Sequence, residues 1–280
     1  MSTRAAVVGG GTMGVGIAYV LCVAGASTTV VEPSASRRAA VLEEFQAALA
    51  SGAARGKIAG PGATAALDRL TLVPDIGELA TGLDVVIESI PERVDAKIEV
   101  LGQLESLRPA VLASNTSSIS IDKLARALEH PDRFLGLHFF NPVWAIPLVE
   151  VVRGTATSDQ TIAAALVLVA SLGKEAAVVN DAPGFATSRL DIIVAIEAMR
   201  MLEEGVARAE DIDRAIRLAY RHPIGPLALS DFVGLDVRLD TARLLERSLG
   251  DRFAPPRILV ELVEAGHLGV KTGRGFLSWD

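Results

Sequence analysis

The stretch Ala5-Ala6-Val7-Val8-Gly9-Gly10-Gly11-Thr12-Met13-Gly14-Val15-Gly16 decides the fold. Ala5 to Val8 reads as a short buried strand, and Ile17, Leu21 and Ala24 follow at helical spacing. Between strand and helix, Gly9, Gly11 and Gly14 supply G-x-G-x-x-G. Gly9 permits the tight turn, Gly11 lets a pyrophosphate approach the backbone, and Gly14 lets the helix pack close on its strand. Thr12 and Met13 complete the turn at the helix N-terminus, whose N–H groups and partial positive charge suit phosphate. A second strand, Ser27 to Val31, ends in Glu32, at about the distance where an acidic side chain takes a ribose 2′-hydroxyl. The joint pattern predicts a dinucleotide site. NAD is preferred over NADP because Glu32 repels a 2′-phosphate, although Arg37 and Arg38, a few residues on, soften that preference.

With 280 residues, half of them hydrophobic and 22% charged, the chain holds one large or two ordinary domains with ample core. Net charge is −7, so a basic face for nucleic acid is not expected, and an anionic substrate must be met by local Lys or Arg. The single cysteine, Cys22, falls in the first helix; it excludes an intrachain disulfide and carries no metal or redox spacing. No charged leader precedes the first strand, and no run of about 18 apolar residues suggests a membrane span. The expectation is a cytoplasmic protein with no membrane partner.

Helices and strands then alternate. A helix over Ala35 to Ala50 gives way to a Gly- and Ala-rich loop, Ser51 to Thr64. Strands are predicted at Leu70–Val73, Asp84–Ile90, Ala110–Ala113, Phe134–Phe140, Leu148–Val152 and Ala176–Val179. Helices are predicted from Glu92, around Asp122–Leu128, and over Ser158–Leu172. Such alternation implies a parallel-dominated sheet covered on both faces. Beyond Asp181-Ala182-Pro183-Gly184 the pattern is helical only: Pro183–Glu204, Ala209–Tyr220, Leu235–Leu249 and Pro255–Glu264. The fold class is α/β: a Rossmann-type doubly wound sheet over residues 1–181, followed by an all-helical domain over residues 182–280.

In such sheets ligands bind beyond the carboxyl ends of the strands, where Asn115 to Ser118, His138 to Asn141 and the turn around Pro183 place polar groups. His138 and Glu150 each interrupt an apolar strand. Burying two ionisable groups separately is costly, and pairing relieves both. A carboxylate on one ring nitrogen fixes the tautomer, and the other nitrogen takes the proton.

The chain resembles the L-3-hydroxyacyl-CoA dehydrogenases. The resemblance is carried by Gly9 to Gly14, Ser114-Asn115-Thr116-Ser117-Ser118, Gly136-Leu137-His138-Phe139-Phe140-Asn141-Pro142 and Val149-Glu150-Val151. Asp181 to Phe185, His222-Pro223-Ile224-Gly225-Pro226 and Lys271-Thr272-Gly273-Arg274-Gly275-Phe276 extend it over almost the whole chain. It implies a stand-alone enzyme of the 3-hydroxybutyryl-CoA type, with an acyl-CoA thioester as substrate and NAD as cofactor. It makes His138 the general base, oriented by Glu150, with Ser117 on the substrate oxygen near the nicotinamide. Asn115 and Asn141 help hold the nicotinamide end and the His138 loop. Glu92, Lys97 and Lys271 match cofactor contacts, and Lys57 lies in the loop that approaches CoA phosphates. Taken singly, Glu92 also reads as a first-turn helix residue, and Lys97 and Lys271 as surface charges. A homodimer through the helical domain is implied by resemblance alone.

One departure stands out. Ser188 occupies the place where many relatives carry an Asn that reaches substrate or His, and serine is shorter, with one donor instead of two. The same fold could also serve a free 3-hydroxy acid, a 3-hydroxy quaternary amine, or a non-catalytic cofactor-binding protein.

Overall fold

The computed structural model describes residues 3–58 and 60–279 and divides into two compact units, Met1–Ala182 and Pro183–Asp280. The first unit is built on an eight-stranded sheet. Its strands in chain order are β1 (Arg4–Val8), β2 (Ser27–Val31), β3 (Leu70–Val73), β4 (Val85–Glu88), β5 (Val111–Ser114), β6 (Phe134–Phe139), β7 (Leu148–Arg153) and β8 (Glu175–Asn180). The spatial order is β3-β2-β1-β4-β5-β6-β7-β8. Strands β1 to β6 are parallel; β7 pairs antiparallel with β6, and β8 runs parallel to β7. Strands β4, β5 and β6 are buried along their whole length, in keeping with their largely apolar sequences, and the polar Glu88, Ser114 and His138 are buried with them.

The helices of this unit are α1 (Thr12–Val23), α2 (Ala35–Ala54), α3 (Gly60–Leu67), α4 (Val94–Ser106), α5 (Ile121–Ala125) and α6 (Asp159–Ser171). Gly14 to Cys22 of α1 are all buried, so the helix lies inside the unit rather than on it. Burial pushes the Cys22 thiol up to about 11, leaving it a packing residue.

The predicted loop Ser51–Thr64 is mostly helix: α2 continues to Ala54 and α3 begins at Gly60. Gly52, which reads as a loop signal, is instead a close-approach residue. A Cβ there would lie 2.6 Å from Tyr19 Oη. Residue 59, within that predicted loop, lies outside the described residues.

The second unit holds α7 (Thr187–Glu203), α8 (Ala209–Tyr220), α9 (Pro226–Val233), α10 (Leu235–Leu249) and α11 (Arg257–Glu264). Helix α7 starts at Thr187, four residues later than expected, and α9 was not expected at all. With eight residues it is too short to hold itself together. Its N-terminal amides Leu227 N and Ala228 N donate to the buried carboxylate of Asp213, at 2.9 and 2.8 Å. That cap comes from another helix and has no local sequence signal.

Candidate active site

Beyond the carboxyl ends of β1, β4, β5 and β6 the first unit opens a cleft of about 970 Å³. It lies where strand order reverses around β1, which is flanked by β2 and β4. Gly9 to Met13, Glu32, Glu92, Asn115, Ser117 and His138 to Asn141 all line it.

The glycine turn is built to bring backbone to this cleft. Gly9 has φ +112°, and a Cβ there would lie 2.6 Å from Ser89 O. A Cβ on Gly14 would overlap the carbonyl oxygen of Gly9, so α1 rests directly on the turn. Gly11 is different: a Cβ there would meet nothing within 4 Å among the described residues beyond its chain neighbours. Its bare backbone is therefore not required by internal packing and faces the open cleft. Helix α1 has no side-chain cap at Gly11, so its first N–H groups remain available to an anion. These features fit the phosphates of a dinucleotide.

Glu32 stands at the end of β2 with Oε2 accepting from Gly10 N at 3.1 Å and Oε1 from Ser34 N at 2.9 Å. Its carboxylate is thereby held at the wall of the cleft. The nearby arginines are committed elsewhere. Arg37 donates from Nε to Gly10 O and forks onto Glu44 at 2.6 and 2.8 Å, while Arg38 Nη1 donates to Glu32 O and Pro33 O. Arg37 is thus neutralised by Glu44, whereas Arg38 is held by carbonyl oxygens that leave its charge in place beside Glu32.

His138 and Glu150 are directly opposed in the β6–β7 ladder. Cross-strand partners point to the same face of a sheet. His138 Nδ1 and Glu150 Oε2 are 2.7 Å apart, with the carboxylate fully buried. The ring also lies against Phe140, with centroids 4.3 Å apart. Asn115 supports this segment from β5: its Oδ1 accepts from Phe139 N at 2.9 Å. Asn141 follows at the lip of the cleft.

Glu92 and Lys97 belong to one electrostatic chain, in which Lys97 is buried and Glu92 is exposed at the cleft. Lys97 is 1% exposed, and its Nζ donates to Glu88 Oε1 at 2.6 Å and to Ile90 O at 3.1 Å, with Glu92 Oε2 at 3.3 Å. The surface-charge reading of Lys97 fails on that burial, and the residue does not line the cleft. Glu92 precedes α4 rather than starting it. Its Oε1 accepts from Thr116 Oγ1, Ser117 N, Ser118 N and Ser118 Oγ. Burial pushes its carboxyl upward, but Lys97 and the bonds from Thr116 and Ser118 outweigh this and hold it below the usual range. An ionised Glu92 thus fixes the loop that carries Ser117.

Glu88 was missed in the sequence. It ends β4, is fully buried, and takes Ser114 Oγ on its second oxygen at 2.6 Å. The available signal was a charged residue closing the apolar run Val85-Val86-Ile87.

Three candidates lie elsewhere. Lys57 lines a separate depression of about 620 Å³ in the first unit, with Arg55, Trp144 and Lys174. Ser188 is half-buried in the first turn of α7 in the second unit. Lys271, also in the second unit, donates to both carboxylate oxygens of Asp236 at 2.6 Å.

The sequence family described as "3-hydroxyacyl-CoA dehydrogenase, NAD binding domain" matches residues 4–182, and its "C-terminal domain" matches residues 184–279. The chain belongs to the 3-hydroxyacyl-CoA dehydrogenase family. It is an NAD-dependent oxidoreductase of 3-hydroxyacyl-CoA thioesters, and the two-part fold read from the sequence is that of its relatives. A protein of Bradyrhizobium diazoefficiens named 3-hydroxybutyryl-CoA dehydrogenase is 40% identical over 99% of this chain and 95% of its own length. One of the same name from Mycobacterium tuberculosis is 41% identical over 99% and 98%. The crystal structure of (S)-3-hydroxybutyryl-CoA dehydrogenase from Ralstonia eutropha matches with a TM-score of 0.95 at 38% identity, covering 100% of both chains.

Proposed function

We propose that the chain interconverts (S)-3-hydroxybutyryl-CoA and acetoacetyl-CoA, with His138 moving the proton and Glu150 orienting it. The observation that carries this reading is the 2.7 Å His138–Glu150 pair at a cleft shared with the glycine turn. The four-carbon acyl group is supported by the names of the full-length relatives.

Bound NAD would supply the hydride acceptor for this oxidation. Gly9 to Gly14 and the N-terminus of α1 would hold its phosphates, and Glu32 would take the adenosine ribose. His138 accepts the 3-hydroxyl proton at Nε2, the ring nitrogen away from Glu150, and returns it in the reductive direction. The negative charge of Glu150 at Nδ1 favours the protonated ring that results. Ser117 hydrogen-bonds the substrate oxygen from a loop that Glu92 and Lys97 hold still, and Asn141 borders the same region. Lys97 is a positioning residue in this scheme, since its ammonium is buried against Glu88 and Glu92. By the family resemblance, Ser188 is assigned to substrate or His138, Lys271 to the cofactor and Lys57 to a CoA phosphate. The active form is a homodimer assembled through the helical unit and located in the cytoplasm.

Purified enzyme should oxidise NADH on addition of acetoacetyl-CoA and show no turnover with free acetoacetate. Absence of NADH oxidation with any 3-ketoacyl-CoA, in a protein that still binds NADH, would instead favour a non-catalytic relative.

Glu32→Ala should weaken NADH binding about tenfold, the cost of one charge-assisted hydrogen bond, and bring NADPH closer to NADH. Fluorescence titration of both nucleotides measures this. Unchanged discrimination would move ribose recognition to another residue.

A further inference from the structure

Lys174 immediately precedes β8, and its half-buried ammonium is engaged by backbone alone. Nζ donates to Val143 O and to Ile146 O, at 2.6 Å each. Among the described residues no carboxylate pairs with it. Burial without a counter-charge holds its pKa below the usual lysine range. An aliphatic side chain would avoid that cost, so the reason for a cation here lies in the two carbonyls it serves.

Those carbonyls belong to the segment that joins β6 to β7. Ala145 N and Ile146 N both donate to Pro142 O, at 2.9 and 3.1 Å, which closes a single helical turn. Such a turn leaves carbonyls without donors at its C-terminal end, and Pro147 has no N–H to supply one. Lys174 fills that place from 31 and 28 residues further along the chain. Two other contacts key the segment into the first unit. Val143 is buried where Gly16 of α1 leaves it room, since a Cβ on Gly16 would lie 2.7 Å from Val143 Cγ2. Glu175 N, next to Lys174, donates to Pro147 O at 2.7 Å.

The other end of the segment reaches the cleft. Asn141 lines it, directly before the turn and shortly after His138. Among the described residues no hydrogen bond holds the Asn141 amide, so its place is set by the backbone that carries it. We propose that Lys174 is a positioning residue of the reaction: its ammonium locks the Pro142–Ile146 turn and thereby holds Asn141 at the lip of the cleft beside His138. The inference rests on the reading above, in which Asn141 borders the reacting region. Lys174 lines the separate depression rather than the cleft, so it acts only through this loop.

The test follows acetoacetyl-CoA reduction by NADH in the wild type, Lys174→Met, Asn141→Ala and the double variant. Lys174→Met keeps an aliphatic stem and removes the donors. It should lower kcat about tenfold, through misplacement alone, with NADH affinity changed less than about threefold. Asn141→Ala should lower kcat by a similar factor. On that background Lys174→Met should cost less than about twofold more, because residues acting through one contact are not additive. Lys174→Ala should regain turnover with n-propylammonium, which carries the deleted atoms and can enter from the depression. Amide exchange in the ligand-free protein reads the anchor without turnover. The Ala145 and Ile146 amides should exchange about tenfold faster in Lys174→Met, with those of β6 and β7 unchanged.

Wild-type kcat in Lys174→Met, with or without a lower Tm, overturns the proposal. Wild-type kcat in Asn141→Ala does the same, as do losses that multiply in the double variant. Unchanged exchange at Ala145 and Ile146 overturns the anchor itself. A wild type that reduces no 3-ketoacyl-CoA, with the turn still loosened in Lys174→Met, supports the anchor and overturns the activity proposed above.

Discussion

His138→Ala is expected to lower kcat by roughly 10²–10⁴-fold, the usual contribution of a positioned acid–base group, while NADH affinity stays nearly unchanged. The two readouts separate because the ring and the nucleotide cradle are built from different parts of the cleft. The cradle comes from the β1–α1 turn and the end of β2; the imidazole comes from β6 and is held by a residue of β7. Removing the ring also deprives a fully buried carboxylate of its partner. A lower Tm should therefore accompany the lost rate. Stopped-flow NADH oxidation, a fluorescence titration and a thermal melt measure the three effects. A variant that keeps more than about a tenth of the wild-type turnover would remove His138 from the proton transfer.

Gly14→Ala should damage fold and cofactor binding together, whereas Gly11→Ala should damage binding alone. A methyl added at Gly14 would overlap the Gly9 carbonyl, a contact between two stretches of backbone that no rotamer change relieves. Gly9 has little room to retreat. Its amide donates to Val31 O at 2.9 Å, and its α-carbon faces Ser89 O. Overpacking of this kind costs about 3 kcal/mol, which lowers Tm by roughly 6–12 °C in a unit of this size. At Gly11, with φ −72° and nothing within 4 Å among the described residues, alanine is accepted without strain. Tm should hold there, while the methyl stands where the phosphates approach and NADH affinity falls more than tenfold. Equal melting temperatures for the two variants would contradict the packing at Gly14. Undiminished NADH affinity in Gly11→Ala would move the phosphates away from the turn.

Both predictions concern a region that was legible before any coordinates. The β1–α1 turn, the strand ending in Glu32 and the apolar strands that carry His138 and Glu150 are local patterns. Each depends on residues within one or two turns or strands, and glycine spacing and apolar runs report them directly. The boundaries of α8 and α10 were legible for the same reason. Elements whose support comes from elsewhere were not. Helix α9 is capped by Asp213, which lies one helix earlier in the chain. Gly52 reads as a loop breaker but serves a contact with Tyr19.

The candidate site divides along the same line. Residue type and order along the chain already named an imidazole, a carboxylate and a Ser/Thr/Asn loop beside a dinucleotide turn. Strand direction was beyond that reading. The reversal at β7 sets Glu150 opposite His138, because only an antiparallel ladder with this register makes the two cross-strand neighbours. Tertiary structure also buried Lys97 between Glu88 and Glu92. The chain's own order of residues determined the two-part fold and the chemical groups at hand. Which charge faces which depended on strand register and helix packing, because electrostatic partners are chosen by distance in space, and sequence separation carries no measure of it.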